Sequence, residues 1–353
     1  MTDLAATRGH RTRAQFCYTE LLILAQGRPM RRREFITLIG SATVTWPFAS
    51  LAQEAGRSYR LGMLFNFPRE YPLAVVLIDD LRRRGFIEGQ NITIEYRVYG
   101  QHPELISEYA AQLIKAQPDV LLVGGGPAVR IVQKATKSIP ILGIADNMVG
   151  EGLVDSLSRP NGNTTGVSIL ATELDGKRQD ILIEAVPGIH RMAVLADYNV
   201  TSVAQLEALQ EAARARNIEL SIHRIAKPEE IAAAINVANA SGATALNVLA
   251  SAMLHANFKL IRDRVAPLRW PDMYQWPELA EEGGFVGYGP RLGQIFRELV
   301  SPIMVKLLRG AKPADLPVEQ PTKFELVINL KTANALGLAI PESFLVRADK
   351  VIE

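Results

Sequence analysis

The strongest constraint on the fold is an alternation that begins at Tyr59. Short β-branched or leucine-rich runs, YRLGMLF (59–65), NITIEYR (91–97), DVLLVG (119–124) and IPILGIAD (139–146), are separated by helix-patterned stretches near 71–85, 103–116 and from 127. Strands recurring at this distance leave room for a helical crossover, so they read as a parallel sheet covered on both faces. The first helix carries Leu73, Ala74, Leu77, Ile78 and Leu81 along one side, and Gly85 ends it. A second series of similar size follows, with strands at 191–197, 218–225 and 243–250 and helices near 173–186, 201–217, 229–240 and 256–266. The expected fold class is therefore α/β, with two doubly wound parallel-sheet lobes.

The lobes are separated by punctuation. RPNGNTTGVS (159–168) places Pro, Asn and Gly before a short β-like run, and GGFVGYGPRL (283–292) does the same on the way out of the second unit. A long helix near 291–309 and the proline-studded GAKPADLPVEQPTKFELVIN (310–329) then lead to one more strand. Read in this way the chain crosses between lobes three times, near Gly166–Ser168, Tyr288–Pro290 and Gln320–Thr322. Lobe 1 is expected to comprise 59–167 and 289–320, and lobe 2 168–288 and 321–353.

Upstream of the alternation, RRREFITLIGSATVTWPFASLA begins at Arg31. Arginines, a short apolar run and small residues at Ser50 and Ala52 follow the order of a removable export leader. The run falls short of the ~20 apolar residues that span a membrane, and Pro47 interrupts it. The pair Arg32-Arg33 and the polar content of the run suit twin-arginine export to the periplasm, with Met30 as the true start and cleavage after Ala52. Residues 1–52 are thus set apart from the fold. They hold seven of the 39 basic and three of the 37 acidic residues, so 32 basic and 34 acidic residues remain, a net charge of −2. No basic surface argues for nucleic acid. The only cysteine, Cys17, also falls in the leader, which removes disulfides and thiolate chemistry from the mature chain. His102, His190, His223 and His255 show no metal-binding spacing, and no GxSxG elbow is present. No cofactor is expected.

Several stretches resemble a known family. LRRRGFIEGQNITIEYR, EGLVDSLSRPNGNTTGVS, GFVGYGP and LLRGAKPADLPVEQPTKFELVINLKTANALGLAIP look like the ABC-transporter substrate-binding proteins that include tryptophan- and phenylalanine-type receptors. The resemblance covers essentially all of the mature chain. It implies a type I periplasmic-binding fold with three hinge strands, a soluble and monomeric receptor, an aromatic or branched amino acid or related aromatic acid as small-molecule ligand, and ABC permease subunits as partners. The sequence departs from the family pattern at Asp146-Asn147-Met148-Val149, where Asp-Pro-Val is usual, and at Asn161-Gly162, where two glycines are usual. An exported α/β enzyme is the alternative, and a repressor-like sensor without its DNA-binding domain a weaker one.

Open parallel sheets bind ligands beyond the carboxyl ends of their strands. That rule nominates Phe65, Asn66, Gly124, Gly125, Gly126, Pro127 and Asp146 in lobe 1, Asp197, Tyr198, Ala250, Ser251, Tyr274 and Trp276 in lobe 2, and Tyr288 at the second hinge. The GGGPAV turn opens a helix whose free amides suit an anion, though a plain tight turn explains it equally. Asp146 and Asp197 suit a ligand ammonium or, with equal force, helix capping. The tyrosines and Trp276 suit stacking on a flat ligand or packing beneath a lobe. On this reading lobe 1 grips the polar head and lobe 2 with the hinge covers the apolar body.

Overall fold

The computed structural model describes residues 57–353; the expected export leader, its expected cleavage site and Cys17 lie outside the described residues. The lobe 1 sheet contains β1 (Tyr59–Phe65), β2 (Ile92–Val98), β3 (Val120–Gly124), β4 (Ile141–Ala145) and β5 (Thr164–Ser168), all parallel in the order β2-β1-β3-β4-β5. Its crossovers are helices α1 (Pro72–Arg83), α2 (Ile106–Lys115) and α3 (Gly126–Ala135). The expected stripe of α1 is the face it buries, with Leu73, Ala74, Leu77 and Leu81 in the core. Each large apolar side chain withdrawn from water in this way contributes about 1.5–3 kcal/mol.

Lobe 2 contains β6 (Arg191–Asp197), β7 (Glu219–Ile225), β8 (Leu246–Val248), β9 (Asp272–Tyr274), β10 (Val286–Gly289), β11 (Glu325–Asn329) and β12 (Lys350–Ile352). The order is β12-β11-β10-β9-β8-β6-β7, and only the β10–β11 pair is antiparallel. Helices α4 (Asp175–Ala185), α5 (Val203–Ala215), α6 (Glu230–Ala240), α7 (Ala252–Ala256), α8 (Phe258–Val265) and α9 (Pro277–Glu281) accompany it. The stretch expected as one strand over 243–250 keeps only three ladder residues, and the helix expected near 256–266 is α8, preceded across Asn257 by the short α7. The aromatic run RWPDMYQWPEL, read as packing or stacking, contains β9.

Three crossings join the sheets. The chain leaves β5 for α4 of lobe 2, and returns after β10 into a continuous helix made of Leu292–Gln294, a π-helical turn Ile295–Val300 and α10 (Ser301–Leu308). That helix packs on α1 and β3 of lobe 1. The third passage runs beside the first: Glu319 bridges to Val167, donating its N–H to the Gly166 carbonyl and accepting from Ser168. Gly166 lies opposite Gly143 of β4, and a Cβ there would overlap the Gly143 carbonyl oxygen. The expected β-like run TTGVS thus needs glycine at its centre for close approach of two backbones. Helices α11 (Leu330–Leu336) and α12 (Glu342–Leu345) complete the lobe 2 layer. One apolar cluster continues through both lobes, taking in Phe65, Leu122 and Val167 as well as Leu246, Leu254, Trp276 and Phe296. Among the described residues no helix is long and apolar enough to cross a membrane.

Candidate functional site

The carboxyl ends of β1, β3 and β4 form one wall. Phe65 is buried, its ring against Gly124, and stacks on Phe67 with centroids 4.6 Å apart. Phe67 continues to Tyr71 at 5.0 Å and Phe296 at 6.5 Å, and the Tyr96 hydroxyl donates to the Phe67 carbonyl. Aromatic surface therefore gathers in lobe 1, whereas the sequence reading placed it in lobe 2 and the hinge. Phe67, Tyr71, Tyr96 and Phe296 escaped that reading because Phe67 lies past a strand end in irregular backbone, Tyr71 at a helix start and Tyr96 inside β2, and Phe296 is remote in sequence.

The glycine turn is built as expected up to its occupant. Gly125 adopts φ of 95° and precedes α3, with Pro127 in the helix's first turn, while the Tyr99 hydroxyl donates to the Gly124 carbonyl. The space above Gly126, however, holds the Glu151 carboxylate, which any Cβ on Gly126 would strike. The positive helix end faces this internal anion. Burial raises the Glu151 carboxyl, with the Asn147 amide at 3.2 Å opposing that shift and Asp146 adding to it. Asp146 itself turns to the start of the next helical segment: Oδ1 accepts from the Ala171 amide at 2.6 Å, and the Thr172 amide and hydroxyl also donate to the carboxylate. Its established contacts are those of helix capping, the second of the two uses the sequence left open.

In lobe 2 two candidates meet. Asp197, nearly buried, accepts from the Asn199 amide at 2.9 Å and from the Ser251 hydroxyl at 2.6 Å, and Ser251 Oγ caps α7 by accepting from Met253 and Leu254. Gln275, absent from the sequence list, pairs with Ser251 twice: its Oε1 accepts from the Ser251 amide at 2.7 Å and its Nε2 donates to the Ser251 carbonyl at 3.0 Å. The ends of β6, β8 and β9 are thereby fixed to each other.

The three nominated tyrosines take different positions from one another. Tyr274 is a core ring, 1% exposed, packed edge-on against Phe258, with its hydroxyl donating to Asp272. The alternation of β9 turns it beneath the sheet. Tyr198 is 58% exposed with the Arg224 guanidinium 4.3 Å over its ring. Tyr288 packs with the α4-side cluster, and its ring lies 6.4 Å from that of Phe324.

Beneath the hinge lies a pair the sequence did not reveal. Arg178, fully buried, donates to the carbonyls of Tyr288 (2.7 Å), Ala171 (2.7 Å) and Gln275 (3.2 Å) and to Asp175 Oδ1 (2.9 Å). Asp175 also accepts from the Ala250 amide at 3.1 Å and Gln205 Nε2 at 2.8 Å. Burial pushes the Asp175 carboxyl up to about 6 and the Arg178 guanidinium down, each pulled back by the other. One guanidinium thus ties the first crossing, the end of β9 and the second crossing together. The signal was a charged i,i+3 pair in a helix opening, which in sequence alone is indistinguishable from a solvated one.

The lobes also meet directly. The Tyr71 hydroxyl, at the start of α1, lies 3.5 Å from His255 Nε2 on α7, and the His255 ring lies 6.3 Å from that of Trp276. Trp276 is 6% exposed and its indole N–H has no acceptor. Burial pushes His255 down to about 4 and raises Tyr71, so the imidazole is neutral and the phenol protonated at neutral pH. Among the described residues no group of three His, Cys, Asp or Glu side chains is placed to hold a metal.

Two lobes of largely parallel sheet, joined by three crossings, give the molecule a two-lobed α/β architecture. A model of the ABC transporter substrate binding protein family matches residues 73–352, and the chain belongs to that family. It is therefore a substrate-binding protein and not an enzyme. It is 25% identical over 272 residues to the tyrosine-binding protein of Clostridioides difficile (strain R20291), covering 74% of this chain and 75% of that one. The fold matches a conserved domain protein of Vibrio cholerae (TM-score 0.75, 24% identity, 84% of this chain and 100% of that one). It also matches the ABC domain in complex with L-Trp from Streptococcus pneumonia (TM-score 0.73, 24% identity, 84% and 100%).

Proposed function

We propose that this protein is the periplasmic receptor of an ABC importer, which takes up an aromatic amino acid between its lobes and presents it to the permease as a monomer. The observation that carries the reading is the meeting of Tyr71, which packs beside Phe67 in lobe 1, with His255, which lies beside Trp276 in lobe 2, so that rings of both lobes gather at the strand ends. Aromatic rings prefer such offset or edge-on partners by ~0.5–1.5 kcal/mol beyond area burial. The named relatives, one a tyrosine-binding protein and one solved with L-Trp, support the ligand class. Asn66, Gly125, Asp146, Asp197 and Ser251 supply polar edges, with lobe 1 taken as 59–167 and 289–320 and lobe 2 as 168–288 and 321–353. The unpaired Trp276 N–H suits the ligand carboxylate, and the carboxylates of lobe 1 suit its ammonium.

Calorimetric titration of the mature protein with L-tyrosine, L-tryptophan and L-leucine tests this. An aromatic preference of tenfold or more is expected; equal or absent binding of all three overturns the ligand class. Export by the arginine pair is part of the same proposal: N-terminal sequencing of the periplasmic form should start at Gln53, and Arg32→Lys with Arg33→Lys should block export. Undiminished export of that double variant would leave Sec as the route.

A further inference from the structure

We propose that Tyr71 and His255 form a pH-sensitive latch between the lobes, meeting when the cleft closes and parting when the imidazole takes a proton. The inference rests on the receptor reading and concerns the regulation of the same site. The two residues are 184 positions apart and on opposite lobes, Tyr71 just before the first residue of α1 and His255 in the last turn of the short helix α7. Hinge closure is the motion that brings such groups together.

The chemistry of the contact has one working state. A half-buried phenol that stays protonated is a donor, and a neutral imidazole with its proton on Nδ1 offers Nε2 as acceptor. Protonating His255 removes that acceptor and leaves a cation in a partly buried corner where burial already disfavours the charged form. No other titratable group shares α7. The carboxylates of this corner are Glu278 on α9 and Glu282 just past its end; they act on Tyr71, while His255 is shifted by burial alone. Opening returns the imidazole to water, where it takes its proton near 6.5. Proton binding therefore favours the open form, and ligand binding, which favours the closed form, must weaken as pH falls.

With the closed-state value near about 4, the dissociation constant should rise roughly 20- to 30-fold between pH 7.5 and pH 5.0. The test is calorimetric titration of L-tyrosine and L-tryptophan into wild type, His255→Gln and Tyr71→Phe at both pH values. Small-angle scattering of the unliganded proteins runs in parallel. Wild type should lose affinity and expand at pH 5.0, His255→Gln should show less than threefold dependence and no expansion, and Tyr71→Phe should bind more weakly at pH 7.5 while keeping the pH slope. An equal slope in His255→Gln, or none in wild type, overturns the latch. Should neither amino acid bind at either pH, the ligand class falls, and the scattering of the unliganded proteins alone decides the latch: expansion in wild type and not in His255→Gln upholds it, and identical behaviour removes it.

Discussion

Replacing Arg178 by methionine, which keeps the length of the side chain and removes its donors, should destabilise the protein by about 3–5 kcal/mol, the range for breaking a buried pair at one partner. The magnitude can be assembled from the site. Three carbonyls, of Tyr288, Ala171 and Gln275, lose their guanidinium donor, at about 1 kcal/mol each when left without a partner. Asp175 has an escape: its carboxyl already sits near about 6, and the Ala250 amide and Gln205 still reach it. Neutralising a group of that pKa at pH 7 costs only about 1 kcal/mol, which limits the penalty of stranding the carboxylate. The sum, about 4 kcal/mol, lies inside the expected range. Adding Asp175→Asn to Arg178→Met should recover part of the loss, because no charge is then left buried. Arg178→Lys should lose most of the stability, since a point charge cannot serve four acceptors in the fork geometry. Urea unfolding of the mature protein measures all of these, and a loss below about 1 kcal/mol in Arg178→Met at unchanged m would refute the account of the hinge as tied by this guanidinium.

Other substitutions separate structural from ligand roles. Gly166→Ala sets a Cβ against the Gly143 carbonyl and should cost several kcal/mol or abolish folding, whereas Gly126→Ala meets only the mobile end of Glu151 and should change thermal stability little while altering ligand affinity. Asp146→Ala should lower stability by about 1–2 kcal/mol through loss of the cap, while Asp146→Asn keeps an acceptor for Ala171; an unchanged affinity for L-tyrosine in folded Asp146→Asn would remove the residue from the ligand's ammonium. Tyr274→Phe strips one donor from buried Asp272 and should cost about 1–3 kcal/mol by thermal melting without shifting the preference among amino acids; a changed preference would return Tyr274 to the cleft.

The architecture was legible because it is written in local patterns. The stripe of α1, the apolar runs of β1, β3 and β6, and the proline and glycine clusters at the crossings each state their role within about ten residues. What failed was of another kind. β8 and β9 have three residues each, too few for a period to be read. The π-helical turn at Ile295–Val300 leaves the helical pattern of its stretch intact, so nothing in the composition marks it.

Candidate residues at strand ends were a different problem again, since a strand end fixes where a side chain starts and says nothing of its partner. Asp146 and Asp197 both stand at strand ends, after β4 and at the end of β6, and both carboxylates are already engaged, one by Ala171 and Thr172, the other by Ser251 and Asn199. The GGGPAV turn makes the point more sharply. Its geometry is that of an anion site, with Gly125 at positive φ and a helix end behind it, and the anion that faces it is the chain's own Glu151, 25 residues downstream. An internal carboxylate in that position reverses the polarity the turn would present to a ligand. The lobe that the glycines alone made a cradle for a carboxylate becomes, with Glu151 and Asp146 in place, the lobe better suited to an ammonium. On the proposed reading the ligand carboxylate would then turn to lobe 2, where the buried indole N–H of Trp276 has no acceptor of its own.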